Sequence, residues 1–261
     1  MLECVVNISE GRDPRRIGRI AASAGADLLD LHRDGDHHRS VLTLVGAAAA
    51  RSVATATVAE IDLRTHQGVH PRIGALDVVP FAPLGDGSLD DAVEARDAFG
   101  AWAADTLGLP CFCYGPERSL PDVRRGAFAE LAPDFGPSVP HPSAGAVAIG
   151  ARPVLVAYNL WLAQADLALA QRLARQIRGP WVRALGLAVG GAVQVSMNLI
   201  APDRVGPGSV YDQIAAQTAV ARAELVGLIP ATVLDAVERS RWDELDLSPD
   251  VTIEARLAAG T

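Results

Sequence analysis

The chain has 261 residues, of which 49% are hydrophobic and 21% charged, and it carries a formal net charge of −8. It is long enough for one large globular domain or for two domains of about 100 to 150 residues each. The acidic balance argues against nucleic acid or an anionic membrane as the main partner, because binding to phosphates is driven by clustered cations.

The amino terminus and the apolar stretches indicate a soluble, cytoplasmic protein. Glu3 lies among the first residues and no basic segment precedes the apolar ones, unlike a targeting signal. Residues 154–162 and 184–195 are too short or too rich in glycine to span a bilayer. Cys111 and Cys113 alternate in an apolar run, which is typical of buried strand cysteines.

The first part of the chain predicts the element order β-α-β-β-α-β. Alternating and apolar runs predict strands over residues 1–9, 26–32, 40–46 and 75–83, with helices over residues 14–23 and 47–62. Asp13 followed by Pro14 is a favourable N-cap and first-turn pair for the first helix. This order is typical of the ferredoxin-like fold, an antiparallel sheet with both helices on one face.

The remainder predicts three further elements and then a repeat of the same order. A helix over residues 88–107, a strand over 110–114 and a short helix over 121–131 precede a loop dense in proline and glycine. The repeat comprises strands over 152–162, 181–189 and 193–200, helices over 164–178 and 211–224, and a possible closing strand over 225–229. We therefore predict an α/β (α+β) fold of two ferredoxin-like subdomains, residues 1–150 and 151–261, with a ligand cleft between them.

The segment from His66 to Asp77 concentrates polar side chains beside helix breakers. Pro71 and the neighbouring glycines exclude a helix, so we expect a loop at the mouth of a strand. His70, Arg72 and Asp77 are candidate catalytic residues, since an imidazole titrates near neutrality, a guanidinium pairs with carboxylates and a carboxylate can orient either. The simpler interpretation is a polar turn whose histidines are solvated or act as caps.

A metal-dependent hydrolase is a further alternative, because His66 and His70 are four residues apart. Histidines with this spacing serve as paired ligands where they share one face of a helix. Gly68 and Pro71 oppose a helix between them. We therefore expect no metal.

Six longer strings point to one protein family. They are ECVVNISEGRD at residues 3–13, HRSVLTLVG at 38–46, HPRIGALDVVPF at 70–81, APDFGPS at 132–138, GARPVLVAYN at 150–159 and QVSMNL at 194–199. Together they resemble the glutamate formiminotransferases. The strings follow the family order from residue 3 to about residue 230, nearly the whole chain.

The resemblance implies two α/β subdomains, a homodimer in many members and a folate-binding tunnel between the subdomains. It implies transfer of a formimino group from N-formimino-L-glutamate to N5 of tetrahydrofolate, as in histidine breakdown, with tetrahydrofolate as co-substrate. The histidine before Pro-Arg, His70 here, corresponds to the family's catalytic histidine, which we expect to act as general acid and base. The folate-binding loop corresponds to Gly136, Pro137, Ser138, Val139, Pro140, His141, Pro142, Ser143, Ala144 and Gly145.

Carboxylates on the folate tail and on glutamate require cationic partners. Arg72 or Arg39 can hold them in bidentate pairs. Asp77 either orients His70 or caps the backbone of its own loop. The resemblance also implies substrate contacts at His38, Arg39, Asn159, Gln194 and Asn198.

Two positions depart from the family pattern. Many members have Asn where this chain has His38, and the family string AYNIN is AYNLW here, which puts Trp161 in place of an amide. The added bulk can reject a ligand that relied on that amide. The alternative function is therefore a folate-binding paralogue that is non-catalytic or that uses a different formimino donor or amine acceptor. We expect any cyclodeaminase activity on a separate chain.

Overall fold

A computed structural model describes residues 1–68 and 71–259 of the chain. The chain divides into two compact units, Met1–Pro153 and Val154–Thr261. Each unit carries one β-sheet, of six strands in the first and four in the second among the described residues. No helix in the described ranges is both long enough and apolar enough to cross a bilayer.

The first unit is built on a six-stranded sheet with helices on both faces. Its strands are β1 (Leu2–Ile8), β2 (Leu28–Asp34), β3 (Arg39–Val45), β4 (Leu76–Pro83), β5 (Cys111–Tyr114) and β6 (Val147–Ala151). Its α-helices are α1 (Pro14–Ala22), α2 (Ala47–Glu60), α3 (Leu89–Leu107) and α4 (Leu120–Gly126). The strand order is β2-β3-β1-β4-β6-β5. The first four strands pair antiparallel in the ferredoxin-like order, and β6 and β5 extend the sheet in parallel beyond β4.

Two hydrophobic clusters lie on opposite faces of this sheet. The larger cluster joins alternate residues of β1, such as Cys4, Val6 and Ile8, to apolar residues of α1, α2 and α3. The smaller cluster joins β4, β5 and β6 to α4 through Val123. Helix α4 therefore covers the sheet face that α1 to α3 leave open, and Arg124 of α4 contacts Asp77 at the start of β4, where the polar segment from His66 to Asp77 ends.

The second unit repeats the same order and the same sheet topology. It contains β7 (Val156–Leu162), α5 (Leu167–Ile177), β8 (Val182–Val189), β9 (Ala192–Leu199), α6 (Pro207–Ala215), β10 (Val220–Val226), α7 (Ala231–Asp235) and α8 (Ile253–Ala259). The strand order β10-β7-β9-β8 matches that of the first four strands of the first unit. The predicted fold class, two ferredoxin-like α/β subdomains, is confirmed.

The main departures from the predicted elements are a helix that is partly a strand, a strand with the wrong start and a strand that was not predicted. The predicted helix over residues 211–224 ends at Ala215 in α6, and Val220–Val226 is the strand β10, because pairing with β7 outweighs the helix propensity of its Ala, Arg and Glu. The predicted strand over 152–162 begins only at Val156. Strand β6 was not predicted, because a five-residue run buried between two parallel strands lacks the alternation of a half-buried strand.

Candidate active site

Two loops of the first unit lie side by side at the start of β4. We call residues 66–68 and 71–74 the histidine loop and residues 136–145 the proline loop. The N–H of Ala75 donates to the carbonyl of Ala144 at 2.9 Å, and the N–H of Ala146 donates to the carbonyl of Ile73 at 2.9 Å. The predicted catalytic residue His70 lies outside the described residues.

The contact between these loops depends on glycine. Gly74 and Gly145 form a β-bridge. A Cβ atom on Gly74 would stand 1.8 Å from the carbonyl oxygen of Ala146, and Gly145 has φ +72°, which a side chain disfavours. The two backbones can therefore approach this closely only because both residues lack a side chain.

Asp77 is the centre of a buried ionic cluster, and its side chain is only 1% exposed. Arg39 Nη1 and Arg124 Nη2 each lie 2.7 Å from Asp77 Oδ2. The N–H of Ile73 donates to Asp77 Oδ1 at 2.8 Å, and Arg39 Nε donates to Asn7 Oδ1 at 3.1 Å. The predicted residues Arg39 and Asp77 are thus brought together, and the bond to Ile73 is the backbone-capping contact considered for Asp77.

Burial and charge act in opposite directions on the cluster. Burial raises the pKa of the Asp77 carboxyl, but Arg39, Arg124 and the Ile73 N–H outweigh it, and the pKa lies below its ordinary value. Burial lowers the pKa of Arg39 against the pull of Asp77. Two guanidiniums and one carboxylate therefore give this end of β4 an excess of positive charge.

Two imidazoles and a guanidinium pack beside this cluster. The rings of His38 and His66 stack with centroids 4.1 Å apart. Arg72 Nη1 lies 2.7 Å from His66 Nε2, and Arg72 also donates to the carbonyl oxygens of His37 and His38. Burial, the Arg72 charge and His38 lower the pKa of His66 to about 4. His66 is therefore neutral at pH 7 and can accept a hydrogen bond from Arg72.

His38 is held as a neutral ring by the backbone. The N–H of Gly11 donates to His38 Nδ1 at 3.0 Å, so that nitrogen carries the lone pair. Glu10 Oε1 lies 3.3 Å from the same nitrogen, but it accepts from the N–H groups of Arg12 and Asp13 instead. Burial lowers the pKa of His38 even though Glu10 opposes the change. His38, a predicted substrate residue, is thus an uncharged ring that stacks on His66 of the histidine loop.

The proline loop is held by hydrogen bonds at its carboxyl end, and its middle is exposed to solvent. Its carboxyl end is held by paired backbone bonds between His141 and Gly145, at 2.7 and 2.9 Å, and the Ala144 N–H donates to His141 Nδ1 at 3.0 Å. The residues before it are exposed, and Val139 is 65% exposed, which is unusual for a large apolar side chain. The exposed part of the predicted folate loop comprises Gly136, Pro137, Ser138, Val139 and Pro140, followed by Pro142.

The remaining predicted residues lie in the second unit, on β7 and β9. Asn159 Nδ2 and Trp161 Nε1 donate to the same oxygen, Glu224 Oε2, at 3.1 and 2.8 Å. Trp161 pairs across the sheet with Gln194, which is fully buried, and Asn198 lies further along β9 and is exposed. Alternate strand residues share a face, so these side chains lie on the face opposite the one packed by α5 and α6.

Three residues that lie close to the predicted site residues were not identified from the sequence. Arg124 binds Asp77, Glu10 binds the backbone beside His38, and Glu224 binds Asn159 and Trp161. Each pair except Glu10 and His38 is separated by more than 40 residues. No local pattern distinguishes Arg124 from its neighbour Arg125, since both are cations near the end of a short helix.

No group of three or more His, Cys, Asp and Glu side chains in the described part of the chain is arranged to hold a metal ion. The three cysteines are buried and free. Burial raises the pKa of Cys111 and of Cys113 to about 12, so neither is a thiolate at neutral pH.

Comparison with known proteins places residues 1–152 in the family described as the formiminotransferase domain, N-terminal subdomain. The glutamate formimidoyltransferase of Streptococcus pyogenes serotype M1 is 34% identical over 270 residues, 90% of each chain. The glutamate formimidoyltransferase of Thermoplasma acidophilum is 34% identical over 90% of this chain and 89% of its own. The formimidoyltransferase-cyclodeaminase of Sus scrofa is also 34% identical, over 90% of this chain and 51% of its own length.

Proposed function

The chain belongs to the formiminotransferase family, and on that premise we propose that it transfers a formimidoyl group from N-formimidoyl-L-glutamate to N5 of tetrahydrofolate. The observation that carries the proposal is the similarity, over nine-tenths of both chains, to two proteins named glutamate formimidoyltransferase. Tetrahydrofolate is then a co-substrate, and each turnover consumes one molecule of it.

The reaction requires one proton to leave one nitrogen and one proton to reach another. N5 of tetrahydrofolate attacks the formimidoyl carbon, and a tetrahedral carbon bonded to both amines forms. N5 loses a proton, the glutamate nitrogen gains one, and the bond between that nitrogen and the carbon breaks. The products are glutamate and 5-formimidoyl-tetrahydrofolate. A single imidazole, for which we propose His70, can accept the first proton and donate the second.

The charges around the histidine loop support binding of carboxylates. Arg39 and Arg124 outnumber Asp77, and Arg72, which contacts His66, adds a third guanidinium. We propose that Arg39 and Arg72 attract the carboxylates of the two substrates, since guanidinium groups match carboxylates in geometry and charge. We propose that the exposed part of the proline loop packs against the flat pterin ring of the folate.

The His70→Ala variant tests the catalytic proposal. We expect kcat to fall by about 10²- to 10⁴-fold, the usual contribution of a positioned acid-base group, with little change in folate affinity. Formation of the formimidoyl-folate is measured by absorbance, and folate affinity by calorimetry. His32→Ala, on the edge strand β2, is the matched control and should retain activity. Turnover of His70→Ala at the wild-type rate would refute the proposed role.

A second candidate, transfer from a different formimidoyl amine, is supported by Trp161. The indole donates to Glu224, and the guanidinium of Arg222 stacks on it 4.4 Å from the ring centroid. This arrangement stands where the family string carries a second amide, so a glutamate donor that relies on an amide there would bind less well. Assays with several N-formimidoyl amino acids distinguish the two candidates by kcat/KM.

The family resemblance also supports a homodimer in the cytoplasm, and we propose both for this chain. Light scattering coupled to size-exclusion chromatography should give twice the mass of one 27.3 kDa chain. A monomeric mass at the concentration of the activity assay would refute the dimer without affecting the proposed reaction.

A further inference from the structure

Strand β10 places a guanidinium over the face of an indole. Arg222 and Trp161 are opposite each other in the register of β10 and β7, and Arg222 Cζ lies 4.4 Å from the centroid of the indole ring. This is the shortest distance from a guanidinium to an aromatic ring among the described contacts. Trp161 is only 8% exposed, whereas the side chain of Arg222 is 55% exposed. The cation therefore lies on a buried ring and is still accessible to a ligand.

Glu224 holds the indole without taking up the hydrogen bonds of the guanidinium. Its Oε2 accepts from Trp161 Nε1 at 2.8 Å and from Asn159 Nδ2 at 3.1 Å. Its Oε1 lies 3.7 Å from Arg222 Nη1, close enough for attraction between the charges but too far for a hydrogen bond. Within residues 1–68 and 71–259, the guanidinium of Arg222 donates no hydrogen bond.

A guanidinium in this setting is preorganised to bind an anion. A free arginine side chain loses conformational freedom when it binds, but contact with the indole already restricts Arg222. The N–H groups of a guanidinium lie in its own plane and form a fork that matches a carboxylate. Glu224 competes weakly for this fork, because its Oε2 is occupied by two donors and its side chain is only 16% exposed.

The proposed reaction supplies more carboxylates than the arginines already assigned to them. N-formimidoyl-L-glutamate carries two carboxylates and the glutamate tail of tetrahydrofolate carries two more, whereas Arg39 and Arg72 are the two guanidiniums proposed to attract them. We propose that Arg222 binds one of these substrate carboxylates in a two-pronged pair, on the face of the second sheet opposite α5 and α6. The identity of the ligand rests on the proposed function.

The test compares Arg222→Gln with Arg239→Gln. Both variants remove the charge of an exposed arginine beside an indole of the second unit, and Arg239 Cζ lies 5.5 Å from the ring centroid of Trp242. We expect Arg222→Gln to raise KM for one substrate about tenfold and to keep kcat within about twofold. A charge-assisted contact made equally in the ground state and the transition state changes binding alone. Arg239→Gln should leave both parameters unchanged. An unchanged KM for both substrates in Arg222→Gln overturns the proposal.

Two further measurements separate a carboxylate contact from a structural effect. Arg222→Lys keeps the charge without the planar fork, so KM should rise about threefold; a wild-type KM in this variant overturns the two-pronged pair. Because Arg222 is half exposed, the effect of Arg222→Gln should shrink at about 0.5 M salt, where charges at the surface are screened. A KM change that is independent of salt overturns the ionic contact.

Paired substrates identify the source of the carboxylate. If Arg222 binds the folate tail, Arg222→Gln raises KM for tetrahydrofolate but not for 6-methyltetrahydropterin, which has no tail. If Arg222 binds the amino acid, the variant raises KM for N-formimidoyl-L-glutamate and leaves KM for tetrahydrofolate unchanged. Either result supports the proposal.

Calorimetry decides the role of Arg222 without turnover. Wild-type protein is titrated with tetrahydrofolate and with L-glutamate, and we expect Arg222→Gln to weaken binding of one of them about tenfold. If the wild type is inactive but Arg222→Gln weakens either ligand, only the proposed reaction fails. If the wild type is active and the variant binds both ligands as tightly, only the role of Arg222 fails. A wild type that binds neither ligand overturns both proposals.

Discussion

The Asp77→Asn variant removes the one anion from the buried cluster and keeps the shape of the side chain. The carboxylate accepts from Arg39, Arg124 and the Ile73 N–H, and it is almost completely buried. Asparagine keeps an oxygen for the Ile73 N–H but leaves two guanidiniums close together without a counter-charge. Removing one partner of a buried ion pair typically costs about 3 to 5 kcal/mol. Since one neutral hydrogen bond is retained, we expect a loss of about 3 kcal/mol.

The effect should depend on pH in a defined direction. The pKa of Asp77 is lower in the folded protein, so its contribution is fully present above the unfolded value of about 3.9. The contribution is lost as the pH falls through the folded pKa. The difference in unfolding free energy between wild type and Asp77→Asn should therefore be constant near neutrality and shrink below about pH 4.

Urea unfolding followed by far-UV circular dichroism measures this loss. The control is Glu60→Gln, which breaks a bidentate pair with Arg19 at the surface, where Arg19 is 58% exposed. Solvent screens that pair, so we expect a far smaller change. We attribute the size of the Asp77→Asn effect to burial of the ion pair. A loss of unfolding free energy for Asp77→Asn no larger than that for Glu60→Gln would refute this reasoning.

Two further predictions concern backbone contacts and pH. Gly74→Ala should lower the unfolding free energy by about 3 kcal/mol, because the new Cβ would meet the Ala146 carbonyl. Gly18→Ala, in α1 where a Cβ meets open space, should raise the unfolding free energy by about 0.5 to 1 kcal/mol. Urea midpoints that move in the same direction for both variants would contradict this. His66 has a folded pKa of about 4, below its unfolded value near 6.5, so stability should rise with pH between these values. His66→Gln should flatten that rise in urea midpoints measured from pH 4 to 7, and equal slopes for the two proteins would exclude the assignment.

Local signals identified most of the elements. Alternation in β1 and the cap formed by Asp13 and Pro14 are properties of a few adjacent residues, and the structure has both, with Asp13 accepting from two backbone N–H groups of α1. Strand β10 was mistaken for helix because its residues favour a helix in isolation, and only its partner β7 stabilises the extended form. Strand β6 is apolar on both faces, so no periodicity marked it.

The candidate site was predictable in part. The strings around Arg39, Arg72 and Asp77 pointed to the first unit, where Arg39 and Asp77 form an ion pair and Arg72 binds His66. The partner Arg124 was not predictable, because it follows Asp77 by 47 residues and resembles any exposed cation in its local sequence. Its contact with Asp77 depends on α4 packing against the face formed by β4, β5 and β6.

The sequence by itself determined the two ferredoxin-like halves, the glycine and proline loops and the family, because each of these depends on short patterns of residue type. The tertiary structure decided which charges meet. Arg39 and Arg124 converge on Asp77, and Gly74 lies against Gly145, only once the sheet and α4 have brought distant segments together. Hydrogen bonds and ion pairs act over a few ångströms, so their partners are set by proximity in the folded chain and not by spacing along it.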